Sequence, residues 1–181
     1  TSGQVDTECL RYQSILTIEK DLKTFKPNLI QSYEINDDST EFTLHLREGM
    51  KWSNGDPFTT ADWMFWHEDI LLNTDVNAAV DAAYCSNGIP MVYEAVDDYT
   101  LVIKFEEPNP AFEITMARYS TGLIRSFFAP KEYLQQWHIK YNPDADKLAK
   151  EEGYESWILC FKDHLDNSQA QKDCEAPDVY P

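Results

Sequence analysis

The sequence has 181 residues, 43% of them hydrophobic, with thirty-two acids against fifteen bases and a net charge of −17. Its Lys and Arg are scattered singly among acids, which argues against nucleic acid, anionic membrane surfaces and polyanionic substrates as partners, because neutralising phosphates takes clustered bases. The length suits one domain of ordinary size or a domain with an appendage, and no run approaches the roughly 18 apolar residues that a membrane span requires.

The opening "TSGQVDTECL" has neither the basic start nor the apolar stretch of a signal peptide, so a soluble chain is expected. Residues 1–26 form a first segment in which "SILTIE" alternates Ile15, Thr17 and Glu19 with Leu16 and Ile18, suiting a short strand. Asp37-Asp38-Ser39 is a turn cluster. "EFTLHLR" then alternates cleanly, with Phe42, Leu44 and Leu46 on one face and Glu41, Thr43, His45 and Arg47 on the other, which predicts a half-buried antiparallel strand.

Gly49 permits a bend, and Ser53-Asn54-Gly55-Asp56-Pro57 is dense turn chemistry. Thr59 and Asp62 have the spacing of a helix N-terminus, where a hydroxyl accepts from an orphan backbone N–H and an acid favours the positive end of the dipole. Trp63, Phe65, Trp66 and Ile70 continue as a helical apolar stripe reaching Leu72. The junction reads as a strand handed to a capped helix by a rigid turn.

After a turn at Asn87-Gly88, the segment from Met91 to Phe105 predicts a hairpin that turns at Asp97-Asp98 and points Leu101, Ile103 and Phe105 to the core. Pro108 and Pro110 stop the second strand. The second half reads helical, with residues 111–118 ambiguous. Pro130 sits at a first helical position, with Tyr133, Leu134, Trp137 and Tyr141 spaced for one buried face. Gly153 closes a helix begun after Pro143, and Trp157, Ile158, Phe161 and Leu165 stripe a last one. Residues 166–181 are polar and proline-bearing, a tail or linker.

Chemistry-bearing motifs are sparse. No GxGxxG, GxxxxGK[ST] or GxSxG is present, and paired carboxylates carry no information in so acidic a chain. Cys9, Cys85, Cys160 and Cys174 lack CxxC spacing, leaving either disulfides in one of three pairings or free buried thiols. Cys160 and His164 fall one helical turn apart, a metal-ligand spacing that packing also produces; packing is the reading adopted, and no metal or cofactor is expected. His67, without the second histidine of HExxH, reads as helix surface. Of the five tryptophans, Trp63, Trp66, Trp137 and Trp157 occupy core positions. Trp52 lies in the turn, where periodicity does not require burial, and is the candidate ligand contact.

The stretch "PNLIQSYEINDDSTEFTLHLREGMKWSNGDPFTTADWMFWHED" resembles the signature segment of the family 5 extracellular solute-binding proteins, the peptide, nickel and oligosaccharide receptors of ABC importers. The match runs through Pro27, Leu29, Ser32, Asp38, Leu46, Arg47, Gly49, Lys51, Trp52, Gly55, Pro57, Phe58, Thr59 and Asp62. Asn54 stands for the usual Asp and Thr60 for the usual Ala, both keeping turn and cap chemistry. A later landmark, Val96-Asp97-Asp98-Tyr99-Thr100 through Glu107-Pro108 and Pro110, is also present. "APKEYLQQWHIKYNPDADKLAKEEGYESW" is similar to one subgroup.

The resemblance implies an α+β fold, a small antiparallel β-sheet covered by several α-helices, occupying residues 27–165 as a subdomain of a two-lobed periplasmic-binding-protein-like receptor. It implies a piece of a longer, non-enzymatic protein that is periplasmic or a cell-surface lipoprotein. Its partners would be a peptide or other small-molecule ligand and an ABC permease. Within the family, peptide is the default ligand and oligosaccharide the rival. The residues alone leave two further classes open. A carbohydrate-active enzyme would show mutually shifted carboxylates in one cleft, and a scaffold would show a large exposed apolar patch.

Overall fold

The structure, a computed structural model, describes residues 14–118 and 126–165. Two hairpins lie side by side in a four-stranded antiparallel sheet of order β3-β4-β8-β7, comprising Ile30–Ile35, Glu41–Leu46, Thr100–Lys104 and Val92–Asp97 respectively. Alternation builds its inner face. Phe42 is opposite Ile103 and Leu44 is opposite Leu101 across β4 and β8, while Tyr93 faces Ile103 across β7 and β8. All five are buried, whereas Glu41, Val92 and Glu94 point to solvent.

β1 (Leu16–Ile18) and β2 (Phe25–Pro27) form a separate two-stranded ribbon, as the alternation in "SILTIE" predicts for β1. β3 carries no comparable sequence signal, because as an edge strand it buries only Ile30 fully. β5 (Cys85–Ser86) and β6 (Ile89–Pro90) make a minimal hairpin. Its two turn residues both have positive φ, 47° at Asn87 and 79° at Gly88, the backbone that an Asn-Gly pair adopts at least cost.

Helices cover the inner face. α1 (Thr60–Phe65) continues directly into a π-helical stretch, Trp66–Leu71, that carries the chain to Leu72. α2 (Phe112–Ala117) lies where the sequence was ambiguous, its Phe112 edge-on to Phe42 and Phe105. α3 (Lys131–Leu134) runs into a 3₁₀ turn ending at Trp137, and α4 (Ala145–Glu151) and α5 (Trp157–Leu165) follow. Gly153, at φ 91°, supplies the left-handed residue just past α4.

Three local expectations need correction. Pro130 is the residue before α3, with ψ at 93°, not its first helical residue. The helix stops at Trp137, so Tyr141 lies beyond the stripe and is 37% exposed. His67 is not on a helix surface. It is buried, stacked on Tyr93 with ring centroids 4.7 Å apart, and hydrogen-bonded from Nε2 to the Met91 carbonyl at 2.9 Å. The π-helical stretch is wrapped on most of its circumference, and Trp66, His67, Asp69, Ile70 and Leu71 are all buried.

Among the described residues, Cys85 and Cys160 carry free thiols. Cys9, Cys174 and the tail from residue 166 lie outside the described residues.

Candidate functional site

The motif residues converge on one corner, built upward from the end of β4. The Leu46 N–H donates to the Tyr99 carbonyl at 2.7 Å, tying the strand to the β7–β8 turn. Arg47 reaches back to the Asn28 carbonyl, 3.3 Å from its nearer nitrogen. Gly49 then turns the chain at φ 78°, and Lys51 and Pro57 form an isolated antiparallel bridge that closes a small loop.

Inside that loop the Trp52 N–H donates to the Asp56 carbonyl and the Gly55 N–H to the Trp52 carbonyl, both at 2.9 Å. The Asn54 amide donates to the Asp56 carboxylate at 2.6 Å while its oxygen accepts from the Asp56 N–H at 3.1 Å. Asn54 thus does the local work that makes Asx residues turn formers. Gly55, at φ 95°, takes a backbone that an L side chain rarely adopts.

The loop delivers two rings inward. Trp52 is 3% exposed and Phe58 1%. Their centroids are 5.3 Å apart, and both pack on Phe128, at 6.0 and 5.1 Å. Trp63 completes the cluster, 5.1 Å from Phe128 and 6.3 Å from Phe58. Tilted and edge-on ring contacts of this kind add to area burial. Trp52, the candidate ligand contact whose burial periodicity did not require, packs as a core residue within this chain. Its burial comes from Phe128, far along the sequence and invisible to local periodicity.

Thr59 and Asp62 form a reciprocal capping box. The Thr59 hydroxyl accepts from the Ala61 N–H at 3.3 Å, and the Asp62 carboxylate accepts from the Thr59 N–H at 2.9 Å. Asp62 does more than cap. Its other carboxylate oxygen accepts from the Lys131 N–H at 3.0 Å, and its backbone carbonyl accepts from the Ala129 N–H at 3.2 Å. One residue thereby fixes both the start of α1 and the entry to α3.

Burial pushes the Asp62 carboxyl up to about 6. The Thr59 and Lys131 N–H groups and the nearby Trp52 indole pull it down, and the Glu132 charge adds to the rise. Among the described residues the Trp52 Nε1 does not reach hydrogen-bond geometry with any partner. It acts on Asp62 as a nearby dipole, not as a bonded donor. Thr60 docks the helix start onto the β7–β8 turn, its N–H on the Asp98 carbonyl at 2.9 Å and its hydroxyl on the Asp97 carbonyl at 2.7 Å.

Outside this junction is an open concavity of about 490 Å³, bordered by Gln31, His45, Glu48, Asp97, Asp98 and Tyr99. Asp97 is held below the ordinary carboxylate range, chiefly by the Tyr99 N–H. The rise at Asp62 comes mainly from burial and not from a second carboxylate. The mutually shifted pair that a glycosidase uses is not seen among the described residues.

A second polar cluster sits in the helical half, where Asp69, 3% exposed, accepts from the Lys140 ammonium at 2.8 Å and the Tyr141 hydroxyl at 2.6 Å. Separately, Glu152, Cys160 and His164 bring one potential ligand atom each to within 4.8 Å of one another, the one such trio among the described residues. Sequence spacing offered Cys160 and His164 but gave no hint of Glu152.

The profile of the bacterial extracellular solute-binding proteins, family 5 Middle, matches residues 24–156, nearly three quarters of the chain. The chain belongs to this family. The periplasmic alpha-galactoside-binding protein of Rhizobium meliloti (strain 1021) is 33% identical over 135 residues, covering 74% of this chain and 19% of that protein. The periplasmic oligopeptide-binding protein OppA of Escherichia coli (strain K12) is 29% identical over 131 residues, covering 64% and 22%. Among solved structures, an oligopeptide-binding protein OppA superposes with TM-score 0.77 at 31% identity, over 89% of this chain and 24% of that one. The periplasmic binding protein MelB of Agrobacterium fabrum C58, in complex with stachyose, gives 0.62 at 26% identity, over 87% and 22%. This family 5 chain spans about a fifth of the length of the curated relatives it matches. The corner from Arg47 to Asp62 lies wholly inside the matched region.

Proposed function

We propose that this chain is part of the substrate-binding receptor of an ABC importer and forms a wall that enlarges the ligand cleft, with peptide as the ligand. The observation that carries the reading is the superposition of 89% of the chain on an oligopeptide-binding protein at TM-score 0.77 and 31% identity. Residues 27–165 act as the subdomain and the corner as its frame, holding the sheet at a fixed angle to α1. The receptor captures its ligand by closure of two lobes, a population shift and not catalysis, and then engages a permease. It works outside the cytoplasmic membrane, either free or held by a lipid anchor. No helix among the described residues is long and apolar enough to cross a membrane.

Oligosaccharide is the second reading, favoured by the 33% identity to an alpha-galactoside-binding protein and the likeness to a stachyose complex. Sugar stacking on tryptophan lends it no weight from this chain, since all five tryptophans are at most 8% exposed. Thermal-shift titration of the full-length gene product with tri- to hexapeptides and with raffinose-type sugars separates the two. Peptides are expected to raise the melting temperature, and a rise with sugars alone would select the second reading. No rise with either class would overturn both ligand readings.

A further inference from the structure

We propose that Glu152, Cys160 and His164 bind one zinc-class divalent metal ion that pins α5 to the C-terminal end of α4. Cys160 and His164 stand one turn apart on α5, and Glu152 is the C-cap residue just past α4, so the ligands come from two parts of the chain. The Cys160 Sγ is 3.5 Å from the Glu152 Oε2, and the His164 Nε2 is 2.9 Å from the same oxygen. A tetrahedral ion with bonds of about 2.0–2.3 Å places its ligand atoms roughly 3.2–3.8 Å apart. The sulfur–oxygen separation already meets that figure, and the nitrogen–oxygen separation needs to open by only a few tenths of an ångström.

Two of the three ligands, Glu152 and His164, are also oriented from behind. The Trp137 indole donates to the other Glu152 oxygen, Oε1, at 3.0 Å. The His164 ring lies flat on Trp137, centroids 3.6 Å apart and 15° from parallel, with the Tyr133 hydroxyl 3.3 Å from its Nδ1. Outer partners of this kind fix the tautomer and direction of ligating side chains. Cys160 is fully buried while the His164 and Glu152 side chains are 21% and 39% exposed, so an ion has a route in and water can complete its shell.

A thiolate, an imidazole and a carboxylate together suit zinc, with cobalt(II) as its spectroscopic stand-in. On binding, the Cys160 S–H proton leaves to solvent as the sulfur–metal bond forms. Without metal the His164 Nε2–H donates to the Glu152 carboxylate. On binding, the neutral ring carries its proton on Nδ1 instead, facing the Tyr133 oxygen, and the Nε2 lone pair is freed for the ion. A site of this kind therefore tightens as pH rises.

The test is cobalt(II) titration of the reduced, metal-stripped protein. One equivalent is expected to bind, with a thiolate-to-cobalt charge-transfer band and quenching of tryptophan fluorescence through Trp137, both reversed by zinc. C160S is expected to lose the band. H164Q should bind at least about tenfold more weakly, the order found for lost ligand-shell groups, and C85S should behave like wild type. Circular dichroism checks that each variant folds. Absence of the band in the wild-type protein, which needs no variant, overturns the proposal, as does a band that survives C160S or full-strength binding in H164Q.

Discussion

Replacing Asp62 by asparagine probes the corner through its one strongly perturbed carboxyl. In the folded state this group titrates near 6, against an ordinary value of 3.8, chiefly because it is buried. The folded state therefore holds the proton more tightly than the unfolded chain does. Its contribution to stability is fully present below pH 3.8 and is lost as pH rises through about 6. A difference of about two pH units converts to about 3 kcal/mol at pH 7. Asparagine cannot ionise, yet its carbonyl retains one of the two acceptor positions used by Thr59 and Lys131. Urea unfolding of wild type and D62N, followed by tryptophan fluorescence from pH 4 to pH 7, yields the difference directly and cancels all other titrations. The wild-type protein should lose roughly 2–2.5 kcal/mol relative to D62N on going from pH 4, where part of the effect is already spent, to pH 7. A flat difference, or one in which wild type gains on D62N as pH rises, would show that the N–H dipoles outweigh burial and would refute the reasoning.

The Trp52 ring, 3% exposed, should behave as core. Trp52→Ala is expected to cost ~3–5 kcal/mol in the same unfolding assay, while Trp52→Phe in the full-length product leaves ligand affinity within about twofold by calorimetry. Gly55→Ala meets no atom within 4 Å, so its cost is the left-handed backbone alone, about 1–2 kcal/mol with an unchanged folded structure. The His67 imidazole is held below its ordinary 6.5 by burial, against the opposing pull of the Met91 carbonyl and Glu68. Its contribution is present above pH 6.5 and is lost as pH falls through the lower folded-state value. At pH 6.5, where an unperturbed imidazole is half protonated, its NMR ring resonances should lie on the neutral side of that midpoint.

What the sequence revealed about this protein was local. The alternation of Phe42, Leu44 and Leu46, the Thr59–Asp62 spacing, the Asn87-Gly88 turn and the stripe from Trp157 to Leu165 each obey a short-range period or cap rule, and each appears in the structure. What stayed hidden depends on distant partners. Trp52 is covered by Phe128, His67 by Met91 and Tyr93, and the Asp62 carboxylate is completed by Lys131. Edge strand β3 escaped for a related reason: a strand that buries one residue fully leaves almost no apolar pattern to detect. Glu152 is joined to Cys160 and His164 only by the turn between α4 and α5, so no single-helix spacing could reveal it.

We propose that the Arg47–Asp62 junction is framework, not recognition surface, and hydrogen exchange tests that most directly. The amides of Trp52, Phe58, Thr60 and Lys131 all donate within the corner. In the full-length product they should exchange at protected, near-global rates that are the same with and without bound ligand. Rapid exchange at these amides, or protection that appears only when ligand is added, would contradict the account.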